Sequence, residues 1–500
     1  MSEVERMNKN KVRRSASVLG AAVVIAALTV SGCMVGPNYH PPQTTVPTEW
    51  AGVAITPPYQ LVVATEQPAD LTQWWQKFKD PTLTALVEEA IKTNLDLQIA
   101  EAQLRQARAL RGVVAGGLWP SVTASGSYQL LHKGVEQDLY QAGFDAVWEL
   151  DFFGGQRRSV EAATANIQAA LEGIRDVQVS LIAEVALNYI QLRGYQQEIV
   201  IAQNNLKSQQ HTADITHRLL TVGFASALDA ANADSNVATT ESQIPVFESA
   251  AQQSIYSLSV LLARPPADLL KQLSPTGILP TVPAQIPAGL PSDLLRHRSD
   301  IRVAEAQLHA ATANIGVAVS DFFPKFSLTG TLNWNSNLLR KWWTEANLSS
   351  TVGPSVTWPI FQGGAIAANV HLQEALRDQS FITYQKTVLA AFQDVENALI
   401  AFGKEQQRRK ALNEAVIANR KAVDLSLQLY TEGQTDFLNV VTAQRLLYAS
   451  EDALVQSDRS IATDLIALYK ALGGGWESLS SLCADPDLSS GEHCCRDKIQ

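Results

Sequence analysis

Three observations predict a mostly α-helical chain with a small antiparallel β part, assembled from two tandem copies of one unit. Motifs recur at a fixed distance along the 500 residues. Apolar residues hold heptad spacing over two long proline-free stretches. Short alternating segments lie at the same place in each copy.

The repeat comes first, because a fixed period governs every later assignment. IAEAQL at 99–104 returns as VAEAQL at 303–308. At that offset of 204 (303 − 99), Asp96 matches Asp300, Pro120 matches Pro324 and Gly126 matches Gly330. Farther along the offset is 210. Gly223 then matches Gly433 and Leu228 matches Leu438, while Ala230, Val237, Ile244, Ala251 and Leu258 match Val440, Leu447, Leu454, Ile461 and Leu468. A small insertion in the second copy accounts for the change. The period exceeds that of solenoid repeats, so one unit is duplicated. The first repeat is assigned to 80–275, a linker to 276–290 and the second repeat to 291–476. An extended segment at 33–79 precedes them and a tail at 477–500 follows.

Each repeat opens with a helix. Asp80 suits a cap and Pro81 the first helical position, and the pattern continues to about Arg111. Its partner begins near Pro291 and runs to about Val319. Two strands are then expected per copy, at 121–130 and about 144–152, and at 326–334 and 352–358. In the first, Ser121, Thr123, Ser125 and Ser127 alternate with Val122, Ala124, Gly126 and Tyr128. Phe144, Ala146, Trp148, Leu150 and Phe152 oppose Asp145, Glu149 and Asp151. Period-two alternation marks half-buried strands, and an apolar aromatic side opposite a small polar side fits a membrane barrel around water. Four strands cannot close such a barrel, whose smallest members have about eight, so several chains must contribute. A soluble sheet packed on a core is the alternative.

Gly154-Gly155 and Gly363-Gly364 end the strand pairs and permit a sharp turn into a helix. From about 156 to 213, Ile167, Ile174, Leu181, Tyr195 and Ala202 hold heptad steps. From about 366 to 425, Val388, Val395, Phe402, Val416 and Val423 do the same, with Arg409 interrupting. Such spacing indicates coiled-coil packing. Roughly 58 helical residues extend about 87 Å, which suits a rod or tube wall better than a globule. Each long helix breaks at a glycine, in LLTVGFASALD (219–229) and YTEGQTDFLN (430–439), and a second heptad helix runs back. These two tips are expected at the end farthest from the strands, where a partner would dock.

Composition narrows the function. A hydrophobic fraction of 46 % and a charged fraction of 18 % fit a folded chain. A net charge of −10 without a basic stripe speaks against nucleic-acid binding, which depends on neutralising phosphates. At the N-terminus, Lys9, Lys11, Arg13 and Arg14 precede the apolar run VLGAAVVIAALTV (18–30) and then Ser31, Gly32 and Cys33. Residues 1–32 therefore read as a signal peptide, whose apolar run is too short for a membrane span. VSGC resembles a bacterial lipobox, which makes Cys33 the lipidation site; an ordinary cleavage site with a chance cysteine is the alternative. By resemblance to sorted lipoproteins, Met34 after it favours the outer membrane. No later stretch is an apolar spanning helix, so membrane crossing falls to strands.

No Walker loop, HExxH or GxSxG is present, and no catalytic residue, metal or cofactor is expected. Pairs such as Glu88 with Glu89 read as solvated helix faces. His132, His211, His217 and His371 suggest no metal or pH role. Cys483, Cys494 and Cys495, with His493, match no closed zinc spacing. A disulfide suits an oxidising compartment better, and the tail reads as accessory.

Several segments together resemble a known family. WWQKFKDPTLTALVEEAIKTNLDLQIAEAQL (74–104), CMVGPNYHPP (33–42), IPVFESAAQQSIYSLSVLLARPP (244–266) and LIALYKALGGGW (465–476) are similar to TolC-type outer-membrane factors, in the NodT-like lipoprotein branch that serves resistance-nodulation-division pumps. LPSDLLRHRSDIRVAEAQLHAATANIGVAVSDFFPKFSLTG (290–330) is the most specific match. The resemblance implies a homotrimer with a twelve-stranded barrel, four strands per chain, continuous with a helical tunnel in the periplasm. It implies a passive efflux duct in the outer membrane, lipid-anchored at Cys33. A periplasmic adaptor would dock at Val222, Gly223, Phe224, Ala225, Glu432, Gly433, Gln434 and Thr435, and through it an inner-membrane pump. A periplasmic gate is expected around Asp229, Asp436, Leu438 and Thr442, although Thr442 stands where the family would place an aspartate. Carboxylates repeated around a trimer axis form a ring that attracts cations; for Asp229, a simple helix cap is the rival. A protein-secretion duct and a non-pore coiled-coil lipoprotein scaffold are the alternatives for the whole.

Overall fold

The computed structural model describes residues 34–44, 46–47, 50–51, 62–63, 71–132, 134, 136–282, 286–287 and 291–477. The signal peptide, Cys33 and the cysteine tail lie outside them.

A short 3-10 turn, Trp74–Phe78, leads into α1 (Pro81–Thr93). The Asp80 carboxylate accepts from Thr82 N at 2.8 Å and Leu83 N at 3.0 Å, so the cap and the N1 proline stand where the sequence puts them. The helix does not continue to Arg111. Asn94 turns extended (φ −58°, ψ 135°) and closes α1, and its Oδ1 accepts from Asp96 N and Leu97 N to start α2 (Leu95–Gly116). Asparagine competes for backbone partners in this way and so favours caps over helix interiors. In the second copy the matching residue, 204 positions on, is Arg298. It separates α7 (Pro291–His297) from α8 (Ser299–Ser320). Its guanidinium holds Asp300, Asp394 and the Ala471 carbonyl.

Four strands form one antiparallel sheet in the order β1 (Ser121–His132), β2 (Glu136–Leu150), β3 (Lys325–Ser336), β4 (Leu348–Thr357). They are longer than the alternation alone suggests, since pairing extends through the turn-side residues. The long helices are α3 (Gly155–Thr221) and α9 (Ala365–Thr431), each of 67 residues. Arg409, which breaks the apolar heptad series, is exposed and bonds to Asp458, and α9 continues through it. The returning helices differ. In the first copy the return is two pieces, α4 (Ala227–Glu241) and α5 (Ile244–Leu261), with a further turn α6 (Leu270–Leu273). Pro245 stands at the start of α5, where its missing N–H forfeits no helical bond. In the second copy α10 (Phe437–Ala471) runs 35 residues unbroken.

The chain divides into two compact units. One, of residues 1–43, 103–171 and 303–385, holds the sheet and the helix ends next to it. Its helices pack through small residues, Ala162 and Ala165 against Ala310 and Ala313. The other, of residues 44–102, 172–302 and 386–500, holds the large core. There Trp74 and Trp75 are 1 % exposed, and Trp74 stacks on Tyr469 at 5.0 Å. The heptad residues Val388, Val395 and Phe402 are fully buried in this unit, as are Leu181, Val185 and Leu192 from α3. The glycine run at 473–475 lies against this core. A Cβ on Gly474 would stand 2.9 Å from Leu71 Cβ, and Gly475 takes φ +108° while its carbonyl accepts from Gln178.

Candidate functional site: a two-faced sheet and paired hairpin tips

The sheet has no buried face of the ordinary kind. Register aligns Val122, Ala146, Gly330 and Val352 in one row and Ala124, Phe144, Leu332 and Ser350 in the next, with Ser350 the one polar member. Tyr128, Leu130, Phe144, Leu328, Val352 and Val356 on this side are all exposed. Rows one residue away read Thr123, Asp145, Thr331, Thr351 and Ser125, Gly143, Asn333, Ser349. Side chains alternate between faces at every step of a strand, so one face is aliphatic and aromatic while the other carries hydroxyls and amides. Thr331 and Thr351 hydrogen-bond across strands on the polar side. A continuous exposed apolar face marks contact with lipid or another surface.

Tryptophans stand at both ends of the strands. Trp334, Trp342 and Trp343 cluster with ring centroids 5.0 and 5.1 Å apart beside the β3–β4 connection. Trp119, Phe322, Trp358, Ile360 and Phe361 are exposed near the other ends, where Trp358 Nε1 donates to Phe322 O at 2.9 Å. Aromatic belts at two levels with aliphatics between them are how strands meet a bilayer. The outer edges of β1 and β4 have no neighbour among the described strands. Unpaired backbone is not tolerated in hydrocarbon, so these edges require further strands from elsewhere.

The tips belong to the other unit. Gly223 (φ +81°) and Gly433 (φ +73°) each adopt the left-handed conformation. The bonds that close the two turns correspond. Gly223 N donates to Leu220 O and Phe224 N to Leu219 O; Gly433 N donates to Tyr430 O and Gln434 N to Leu429 O. Val222 and Phe224 on the first tip are exposed, as are Glu432 and Gln434 on the second; Ala225 and Thr435 are half-buried. The two hairpins meet in a small core of Tyr430, Phe437, Val440 and Val441 packed on Ala213 and Ala233. Burial pushes the Tyr430 hydroxyl up.

Of the expected gate residues, Leu438 and Thr442 are exposed on α10, and the Thr442 hydroxyl donates to the Leu438 carbonyl. Asp436 precedes α10 and its side chain makes no capping bond. Asp229 is the capping-box partner of Ser226, accepting from Ser226 N at 2.9 Å and Oγ at 2.8 Å. His217 pairs with Asp234 at 2.9 Å and His371 with Glu374 at 3.0 Å. No group of three His, Cys, Asp or Glu among the described residues is placed to hold a metal. A buried polar layer escaped the sequence reading. Gln444 donates to Thr212 Oγ1 at 2.8 Å and accepts from Asn236 at 3.4 Å, and Arg445 donates to Asn236. Its signal was a polar residue four positions after Val440, where the heptad calls for an apolar one.

The model of the outer membrane efflux protein family matches residues 86–264 and 290–474, that is, both repeats. The chain belongs to this family. It is 32 % identical over 458 residues to nodulation protein T of Rhizobium leguminosarum bv. viciae, covering 91 % of this chain and 93 % of that one. It is 31 % identical over 469 residues to the toluene efflux pump outer membrane protein TtgC of Pseudomonas putida, covering 91 % and 95 %. Among solved structures, the outer-membrane channel OprN aligns with a TM-score of 0.83 at 36 % identity, over 89 % of this chain and all of that one. The open state of the Neisseria gonorrhoeae MtrE channel aligns at 0.77 with 29 % identity, over 89 % and 99 %. The mostly helical chain with its four-stranded sheet is thus an outer-membrane efflux channel protein, and its family and relatives are channel proteins.

Proposed function

We propose that three copies close their sheets into a twelve-stranded barrel and act as a passive exit duct, lipid-anchored at Cys33 in the outer membrane. The observation that carries this reading is the sheet itself, with one aliphatic-aromatic face, one hydroxyl-rich face and two open edges. Apolar rows outward and polar rows inward suit lipid outside and water within. The energy for export comes from an inner-membrane resistance-nodulation-division pump, joined through a periplasmic adaptor that docks on the tips around Gly223 and Gly433. Asp436 and Leu438 form the periplasmic gate. Asp229 supports the first hairpin as a cap, since its carboxylate is engaged by Ser226. The cargo is drugs or other toxic small molecules, for which a wide polar lumen needs little selectivity.

Purified protein reconstituted in planar bilayers tests the duct directly. The expected outcome is stepwise conductance from a trimer whose gel mobility shifts on heating. A water-soluble monomer without conductance overturns it. Loss of the gene should sensitise cells to several toxic compounds, and unchanged susceptibility across a broad panel counts against the cargo class.

A further inference from the structure

Just after Cys33, the chain is fastened to the sheet-bearing unit by an arrangement the conduit does not require. Met34 lies against Gly154, where a Cβ would stand 2.9 Å from Met34 Cα, and Val35 N donates to Phe153 O at 3.1 Å. Gly36 (φ +85°) crosses Gly316 so closely that a Cβ would stand 2.4 Å from the Gly316 Cα. Tyr39 stacks on His309 with centroids 4.3 Å apart, and its hydroxyl donates to Glu305 at 3.1 Å.

One side chain gathers these contacts. Arg158, on the first turn of α3, is 1 % exposed. Its Nε donates to Val35 O at 3.1 Å, and Nη2 donates to Asn38 Oδ1 at 2.7 Å and Gly36 O at 3.4 Å. Nη1 binds Glu161 at 2.8 Å, and the other Glu161 oxygen meets His309 Nε2 at 3.0 Å. Three acceptors of the strap thus complete the coordination of a guanidinium whose remaining partner belongs to its own helix. A buried cation is tolerated only when it is paired and its donors are satisfied, and the planar fork of arginine suits several fixed acceptors as a lysine ammonium does not.

We propose that Arg158 is a latch holding the segment that follows Cys33 at the foot of the sheet, so that the lipid anchor joins a fixed point of the fold instead of a slack tether. Met34 is one peptide unit, about 3.8 Å, from the anchor residue, and it touches the turn that follows β2. The latch rests on the lipoprotein reading for its purpose but not for its geometry.

The test follows chymotrypsin cleavage after Tyr39 in detergent-purified full-length protein, with the N-terminal modification read by mass spectrometry. Wild-type protein is expected to resist cleavage. Arg158→Met should be cut roughly tenfold faster or more, the least that losing a charge-assisted hydrogen bond implies. Arg158→Lys should fall between. Asn38→Ala leaves the arginine and Glu161 in place and should also accelerate cleavage, with the heat-modifiable trimer unchanged; it decides the matter if Arg158→Met does not accumulate. Equal cleavage rates in wild type, Arg158→Lys and Asn38→Ala overturn the latch. An unacylated but protected N-terminus overturns the lipoprotein reading and leaves the latch standing.

Discussion

The two hairpin tips share one backbone and divide the chemistry between them. Gly223 and Gly433 close the same turn with the same pattern of bonds, yet positions 210 apart carry different side chains. Where the second tip has Tyr430, Phe437 and Val440, the first has Leu220, Ala227 and Ala230. The large residues of the second tip fill the core between the hairpins, where Ala213 and Ala233 receive them, while Ala227 is exposed. Outside, the relation reverses: Val222, Phe224 and Leu228 are exposed at 65 %, 82 % and 68 %, while the second tip presents Glu432 and Gln434 with Leu438. One tip supplies the packing side chains and the other an apolar surface. Backbone geometry is held by glycine, and side-chain roles are free to diverge around it.

That division predicts unequal sensitivity. Phe437→Ala should cost about 3–5 kcal/mol, the range for deleting a buried phenyl ring, and lower the thermal midpoint of the purified protein sharply. Ala227, its counterpart, is exposed on α4, and Ala227→Ser should leave the midpoint within error. Equal responses would show that the hairpins share the core evenly. Next in size, Gly223→Val or Gly433→Val forces a β-branched residue into positive φ with no neighbour within 4 Å to clash. Strain alone is about 1–3 kcal/mol and local. Export should fail in both variants while the outer-membrane level, measured by immunoblot, stays normal. Normal export in both would remove the tips from adaptor docking.

How far the sequence foretold this follows from range. Period-two alternation exposed the two faces of the sheet, because each strand carries its own pattern from Val122 to Tyr128 or Leu328 to Trp334. Heptads from Val388 to Phe402 placed the buried seam of α9 because that signal too is local. Each opening helix divides, at Asn94 and at Arg298, because a side chain engaged with other partners there competes with a continuing apolar pattern. Pro245 marks the break before α5, but the heptad set from Ala230 to Leu258 crosses it in register and hides it. Nothing local reveals that Phe437 packs on the other hairpin, that Asp234 faces His217, or that Arg158 reaches back to Val35 and Asn38. Those pairings are made by the fold.

The copies differ again in titration. Asp464 stands where the first copy has Ser254. Burial, reinforced by the charge of Glu405, pushes Asp464 up to about 6. A carboxyl raised above its unfolded value near 3.9 is favoured in the fold while protonated. Its contribution is therefore complete below about pH 4 and is lost as pH rises through about 6. The thermal midpoint of the wild type should include a falling component across that window, and Asp464→Ser should remove it. A slope unchanged by the substitution would assign the pH response to other groups, with Glu198, pushed up to about 7 chiefly by burial, next in line.

The smallest expected change in stability belongs to the tip proposed to dock the adaptor. Phe224 stands on the first tip with its ring almost wholly in solvent, and truncating it leaves no cavity, so Phe224→Ala should move the thermal midpoint by less than about 0.5 kcal/mol equivalent. Exposed aromatics of this kind are the anchors around which protein interfaces gain most of their affinity. Cross-linking to the cognate adaptor should drop in this variant, and susceptibility to exported compounds should rise. Gln434→Ala, at the matching position of the second tip, should do less, because an amide in water gives up its own hydration on binding. Should Gln434→Ala prove the more damaging of the two, the polar tip would be the principal contact, and the apolar residues of the first would need another occupant.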